Sequence, residues 1–245
     1  MINSDKIIKE FKRIQSLGFI KSNRLHNTGI GKTFEDYLGV IENNKKDPDF
    51  EDFEIKSQRA IATSYISLFT KSPTFPKGAT RLLKESYGKP DALFPNLKVL
   101  HTSIFSDKFN NCNSLCRFKI TANISLRKII LEAKHLTTDE ILSNEIYWDF
   151  NDIKGEKLKN TFVIWAKKHK IDNDEYFHYT KAHIYYDFSF DKLILGINNG
   201  NIMVDIRYGA YKSGEKAGKP HDHGCGFRVK KENLKDLFEH YIEVE

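Results

Sequence analysis

The chain has 245 residues, 40% hydrophobic and 29% charged, enough apolar material for the core of one large domain or two modest lobes and too much for a disordered chain. Lys and Arg number 39 against 33 Asp and Glu, a net charge of +6 that points modestly to an anionic partner, and only eight of the 39 are Arg. No apolar run approaches the roughly 18 residues of a membrane span, MINSDKIIKEFKR lacks the apolar centre of a signal peptide, and three cysteines, with Cys112 and Cys116 lacking a second pair, fit neither a disulfide framework nor a zinc cage, so a reducing cytoplasm is expected.

In chain order, Ser4 and Asp5 open a helix in which Ile7, Ile8, Phe11 and Ile14 recur at helical spacing. A polar loop, SNRLHNTGIGKT, leads to a second amphipathic helix predicted from about Thr33, with Phe34, Leu38 and Ile41 on its apolar side. Phe53-Glu54-Ile55-Lys56 alternates as a strand does, and SYISLFTK reads as its neighbour. Pro73 and Pro76 open a loop, and a helix follows through Arg81, Leu82, Leu83 and Tyr87. Residues 97–105, 115–122 and 124–134 read as a meander, and 160–167 and 181–188 as further strands. A short helix over 191–197 stops at Asn-Asn-Gly. NIMVDIRYGAY reads as a strand, KSGEKAGKPHDHG as a loop, GFRVKK as a returning strand and ENLKDLFEHY as a closing helix. Trp148 and Trp165 read as core aromatics, and Phe75 as a core anchor ahead of a wedge. The pattern is mixed α/β without regular βαβ alternation, divided into an N-terminal lobe of residues 1–150 and a second of 151–245.

The densest chemical signal is PDFEDFEIK, residues 48–56. In a strand, Phe53 and Ile55 enter a core while Glu54 and Lys56 share the other face, their Cα atoms roughly 7 Å apart. A turn can fold Asp49 back beside Glu54. Two neighbouring carboxylates repel unless a cation lies between them, and oxygen donors of this kind suit Mg²⁺, with Mn²⁺ as a substitute. Such a cation activates water and shields charge on a phosphodiester, and Lys56 would orient the water and stabilise the charge. This is the D-x(n)-[DE]-x-K pattern of metal-dependent nucleases; Asp47 and Asp52 are rival carboxylates. NTGIGKT is not a Walker A loop, because the position of the required first glycine is His26 and no hydrophobic strand precedes it.

HNTGIGKTFE, residues 26–35, followed by PDFEDFEIKS resembles the N-terminal lobe of the MvaI/BcnI restriction endonucleases, relatives of the mismatch-repair nickase MutH. LFTKSPTFPKGA, IRYGAYKSGEKAGKPHDHG and GFRVKK resemble later segments of the MvaI branch, so the similarity extends over most of the chain. The resemblance implies a MutH-like PD-(D/E)XK restriction-endonuclease core with a separate DNA-recognition lobe. It matches Asp49, Glu54 and Ile55 to the metal-binding positions, Lys56 to the catalytic lysine and Glu35 to a helix glutamate that completes the acidic site.

DNA contact needs cations for phosphates and planar donors for base edges. Lys32, Lys71 and Lys77 are the candidate phosphate contacts. Arg207 and Arg228, on the strands flanking the Lys- and Gly-rich loop, suit guanine edges, and His221, Asp222 and His223 add donors and an acceptor. A polar hairpin, or a chance metal site with Cys225, is the plainer account of HDHG. The expected function is a Mg²⁺-dependent type II restriction endonuclease that cuts duplex DNA to 5′-phosphate and 3′-hydroxyl ends; the resemblance implies a monomer and a pseudosymmetric site of the CCNGG type (CCWGG or CCSGG). The resemblance implies a prokaryotic cytoplasmic setting, no obligatory protein partner, and a cognate DNA methyltransferase that acts on the same site without a stable complex. The competing readings are a MutH-like nickase and a non-catalytic DNA-binding module.

Overall fold

The computed structural model describes residues 4–24, 28–40, 48–59, 65–156 and 160–245. Helices α1 (Asp5–Gln15) and α2 (Gly29–Leu38) flank the short strand β1 (Ile20–Lys21), and β2 (Phe53–Arg59), β3 (Ile66–Thr70) and α3 (Ala79–Tyr87) follow. Next come β4 (Lys89–Pro90), β5 (Lys98–Ile104), β6 (Asn110–Asn111), β7 (Cys116–Asn123), β8 (Lys128–His135), β9 (Ile141–Asp149) and α4 (Phe150–Gly155). The last third holds β10 (Asn160–Ile171), β11 (Asp174–Phe188), α5 (Phe190–Asn198), β12 (Ile202–Ala210) and β13 (Pro220–Val229). A 3-10 helix (Lys231–Leu237) and β14 (Phe238–Val244) end the chain.

These elements form two compact units. One comprises Met1–Ser64, Leu158–Ser189 and Phe238–Glu245, the other Tyr65–Lys157 and Phe190–Leu237. A single cut near residue 150 does not separate them. The reason is a parallel pair: β2 lies beside β10 in register from Phe53↔Asn160 to Arg59↔Ala166. Parallel neighbours require a long crossover, and here the connection carries the first stretch of the second unit.

The first unit is a sheet of order β1-β11-β10-β2, with β14 also on β11. Its core follows from the helical spacing: Ile7, Phe11 and Ile14 of α1 and Ile30 and Phe34 of α2 pack with Phe53, Ile55, Phe162, Ile164, Phe177 and Tyr179. The second unit has a five-stranded sheet of order β3-β13-β12-β5-β4 and a meander of order β6-β7-β8-β9. Trp148 and Trp165 are buried, as their composition implied.

Several elements differ from the sequence-based expectation. Helix α2 begins at Gly29, four residues before Thr33, because the glycines pack closely within its first turn. A Cβ on Gly29 would lie 2.2 Å from the Arg24 carbonyl oxygen, and one on Gly31 2.9 Å from Ser57 Oγ. Strand β3 pairs with β13 and not with β2, and β5 belongs to a different sheet from β7 and β8. The HDHG segment lies inside β13, not in a loop. Phe75 is 47% exposed and stacks on Tyr147 at 5.6 Å between ring centroids, so it is a surface residue. The predicted closing helix is a 3-10 helix followed by β14: the open edge of the long β11 offers a ladder from Ala182↔Val244 to Phe188↔Phe238, and that pairing outweighs weak local helix preference.

Candidate functional site

In the first unit, β2 sorts its side chains as alternation requires. Phe53 and Ile55 are buried, at 1% and 6% exposure, while Lys56 Nζ and Glu54 Oε1 meet at 2.9 Å on the other face. Before the strand, Phe50 and Phe53 exchange main-chain hydrogen bonds of 3.1 and 2.9 Å around Glu51 and Asp52. Glu51 takes the left-handed φ of 50° that this turn uses. The reversal carries Asp49 back to the strand, where Oδ2 accepts the Ile55 N–H at 2.8 Å. Thus the turn places the Asp49 carboxylate on the main chain of Ile55, the residue between Glu54 and Lys56. Among the described strands β2 is bonded only to β10, and it ends the sheet. The N–H and C=O of one strand residue point to the same edge. The Ile55 carbonyl therefore faces the edge at which Asp49 sits.

Glu35 lies on α2 opposite β2: a Cβ on Gly31 would be 3.5 Å from Glu35 Oε1 as well as 2.9 Å from Ser57 Oγ. Burial, aided by the Glu35 carboxylate, pushes the Tyr179 phenol up, and that phenol donates to the Ile30 carbonyl at 2.8 Å. Among the described residues no three His, Cys, Asp or Glu side chains gather to hold a metal, so Glu35, Asp49 and Glu54 do not form a three-carboxylate cage. The donors at hand are two carboxylates and a main-chain carbonyl, all oxygen. That set fits a hard cation such as Mg²⁺, which takes one or two carboxylates and keeps several waters, and does not fit zinc. Of the rival carboxylates, Asp47 and also His26 lie outside the described residues, and Asp52 is exposed in the turn.

Lys32 is committed to its own helix. Its Nζ is 2.6 Å from Asp36 Oδ1, and Lys32 together with Asn23 holds the Asp36 carboxyl below the usual range. In the second unit Lys71 Nζ pairs with Glu156 at 2.9 Å and its carbonyl accepts the Trp148 indole N–H at 2.8 Å, whereas Lys77 is exposed.

The five-stranded sheet of the second unit gathers Arg207, Arg228, His221 and His223 on one polar face, while Asp222, paired with Tyr208 across β12 and β13, falls on the other by alternation. Asp205 and Arg207 alternate with buried Val204 and Ile206 on β12, and Gly226, opposite Asp205, precedes Arg228 by two residues on β13. Asp205 Oδ2 lies 3.5 Å from Arg207 Nε and 3.2 Å from Arg228 Nη2. His221 stacks on Tyr211 at 3.9 Å between ring centroids and on His223 at 3.7 Å. Asp222 Oδ1 accepts the Gly224 N–H at 2.7 Å. Cys225 is buried, where burial pushes its thiol up to about 12, and among the described residues it does not gather with these histidines into a metal-holding group.

Two residues of this face escaped the sequence reading. His101 pairs with Arg207 across β5 and β12, and its Nε2 would be 3.2 Å from a Cβ on Gly209. Tyr211 supplies the stack under His221. Alternation in residues 97–105 carried a signal for the face of His101, but the β5–β12 pairing did not.

Burial lowers the His223 pKa below the ordinary 6.5, and His221, Arg207 and His101 lower it further against the opposing Asp222. Folding therefore disfavours the imidazolium. The stability this neutral ring contributes is complete above the unfolded value and is lost as pH falls below about 6.5 toward the folded value. Proton titration by NMR should place His223 below the free-imidazole value of about 6.5; a midpoint above it would contradict the packing of this face.

The model of the MvaI/BcnI restriction endonuclease family matches residues 8–238. A solved restriction endonuclease MvaI–cognate DNA substrate complex is similar with a TM-score of 0.91 at 36% identity, covering 100% of both chains. Restriction endonuclease MvaI in the absence of DNA matches with a TM-score of 0.65 at 36% identity, over 100% of this chain and 99% of that one. No curated protein sequence matches. The mixed α/β fold is that of MvaI, and the chain belongs to the MvaI/BcnI family of restriction endonucleases.

Proposed function

We propose that this endonuclease is a Mg²⁺-dependent enzyme that hydrolyses duplex DNA at a short pseudosymmetric site of the CCNGG type, leaving 5′-phosphate and 3′-hydroxyl ends. The observation that carries the proposal is the hairpin at β2: Asp49 folded onto the Ile55 N–H at 2.8 Å, beside a Glu54–Lys56 pair at 2.9 Å. Asp49, Glu54 and the Ile55 carbonyl would hold the cation, with Mn²⁺ able to replace Mg²⁺, and Glu35 on α2 would add negative charge to its surroundings without being a ligand. When bound, the cation supplies a Lewis acid beside the scissile phosphate.

The Lys56 ammonium orients a water in line with phosphorus and donates to the phosphate oxygens as their charge grows. The first unit cuts. The second reads, with Arg207, Arg228, His221 and His223 facing base edges, Asp222 bracing their strand through the Gly224 N–H, and Lys71 and Lys77 facing phosphates, Lys71 by exchanging Glu156 for DNA; Lys32 plays the same part in the first unit by exchanging Asp36. With one such hairpin among the described residues, a monomer would cut the two strands in separate events. The setting is the prokaryotic cytoplasm, where a separate methyltransferase marks the same site.

Digestion of a DNA of known sequence with Mg²⁺, followed by sequencing of the ends, tests this. One recurring site with 5′-phosphates on both strands is expected. Nicking confined to one strand, or ends without a common sequence, would overturn it.

A further inference from the structure

We infer that Asp205 is a positioning residue that sets the guanidinium groups of Arg207 and Arg228 for sequence discrimination. The inference rests on the proposal that this face of the second unit reads DNA. Two guanidinium groups side by side repel, and a shared carboxylate removes that penalty while fixing their orientation. Asp205 Oδ2 lies between them, at 3.5 Å from Arg207 Nε and 3.2 Å from Arg228 Nη2. Its other oxygen, Oδ1, accepts the Ser103 hydroxyl at 3.2 Å, which locks the carboxylate from a third strand.

Both guanidinium groups converge over one point. A Cβ on Gly226 would be 3.4 Å from Arg228 Nε and 3.6 Å from Arg207 Nη2. The glycine leaves the floor of the sheet open for the two planes to lie on it. Asp205 itself is not a base reader: its side chain is 13% exposed and both its oxygens are engaged. Arginine has five N–H donors; Asp205 lies within ion-pair distance of one nitrogen of each guanidinium, and the buried Nε of both arginines makes no hydrogen bond. Arg207, 38% exposed, retains terminal donors for the O6 and N7 acceptors of a guanine edge. The residues form one device: Ser103 holds Asp205, and Asp205 aims both arginines.

The test uses the full chain carrying Lys56→Ala, so that DNA binding is read without cutting. Affinity is measured for a short duplex carrying the sequence mapped by digestion and for a matched duplex with its guanines replaced by adenines. Asp205→Asn, which keeps the shape and removes the charge, is expected to lower the ratio of the two affinities roughly ten- to hundredfold. Affinity for the adenine duplex should stay the same or rise, because a negative charge has been removed.

A merely structural aspartate would show a lower melting temperature with the ratio intact, and that result overturns the inference. If Asp205→Asn does not fold, Ser103→Ala decides in its place, a lowered ratio supporting the inference and an unchanged one overturning it. Arg207→Ala and Arg228→Ala separate the two levels. If both leave the ratio unchanged, the assignment of this face to DNA reading fails; if they abolish it while Asp205→Asn preserves it, only the positioning role fails.

Discussion

Lys56→Ala is expected to slow phosphodiester cleavage by roughly 10²–10⁴-fold while duplex affinity stays within a few-fold of the parent. Lys56 lies on the partly exposed face of β2, 2.9 Å from Glu54. Truncating it removes no core packing, since Phe53 and Ile55 carry the buried face of the strand. The fold should survive, and the loss should fall on the chemical step. Asp49→Asn makes a complementary variant. It preserves an oxygen acceptor for the Ile55 N–H, now bonded at 2.8 Å, and deletes the charge that attracts a cation. Cleavage by Asp49→Asn should fall by a similar factor and should recover only partly at raised Mg²⁺. Single-turnover cleavage paired with gel-shift binding measures both effects. Cleavage by Lys56→Ala at the parental rate would show that the hairpin is not the catalytic centre.

Phe34→Ala is expected to destabilise the protein by about 3–5 kcal/mol, the range for emptying a buried aromatic position. Phe34 is fully buried and meets Tyr179 at 5.0 Å, Phe162 at 6.1 Å and Phe11 at 6.3 Å between ring centroids. These rings come from α1, α2, β10 and β11, so one cavity weakens every layer of the first unit. The same helix face sets the placement of Glu35, one residue on. A shift of the urea midpoint at unchanged slope would register the loss. A change below about 1 kcal/mol would mean that the site collapses freely, contrary to the close packing seen here.

Local chemistry was the legible part of this chain. Alternation along Phe53-Glu54-Ile55-Lys56 placed two residues in the core and two on the charged face, and the structure has that arrangement. A turn before the strand was readable, but its end point was not: Asp49 was expected beside the Glu54 carboxylate, and in the structure its carboxylate accepts the Ile55 N–H. Helix α1 and the stop of α5 at Asn-Asn-Gly followed from period and turn chemistry. Pairing across long separations was not legible. Nothing in SYISLFTK distinguishes β2 from β13 as its neighbour, since both pairings satisfy the same alternation. The boundary near residue 150 failed for the same reason, through the β2–β10 pair. His101 remained unread although it faces Arg207 across that kind of pairing. Glycine also misled: GIGK looks like a loop, yet the absent side chains at Gly29 and Gly31 serve close packing in the first turn of α2. Tertiary contact decided each of these, and local preference was too weak to reveal it.

The most direct measurement is a time course on supercoiled plasmid bearing the mapped site, with the purified chain alone, in Mg²⁺ and in chelator. The account predicts that nicked circles rise and then give way to linear DNA in Mg²⁺, that chelator stops both steps, and that Asp49→Asn slows both by the large factor given above in the presence of Mg²⁺. Cutting that persists in chelator, or that proceeds undiminished in Asp49→Asn, would contradict it.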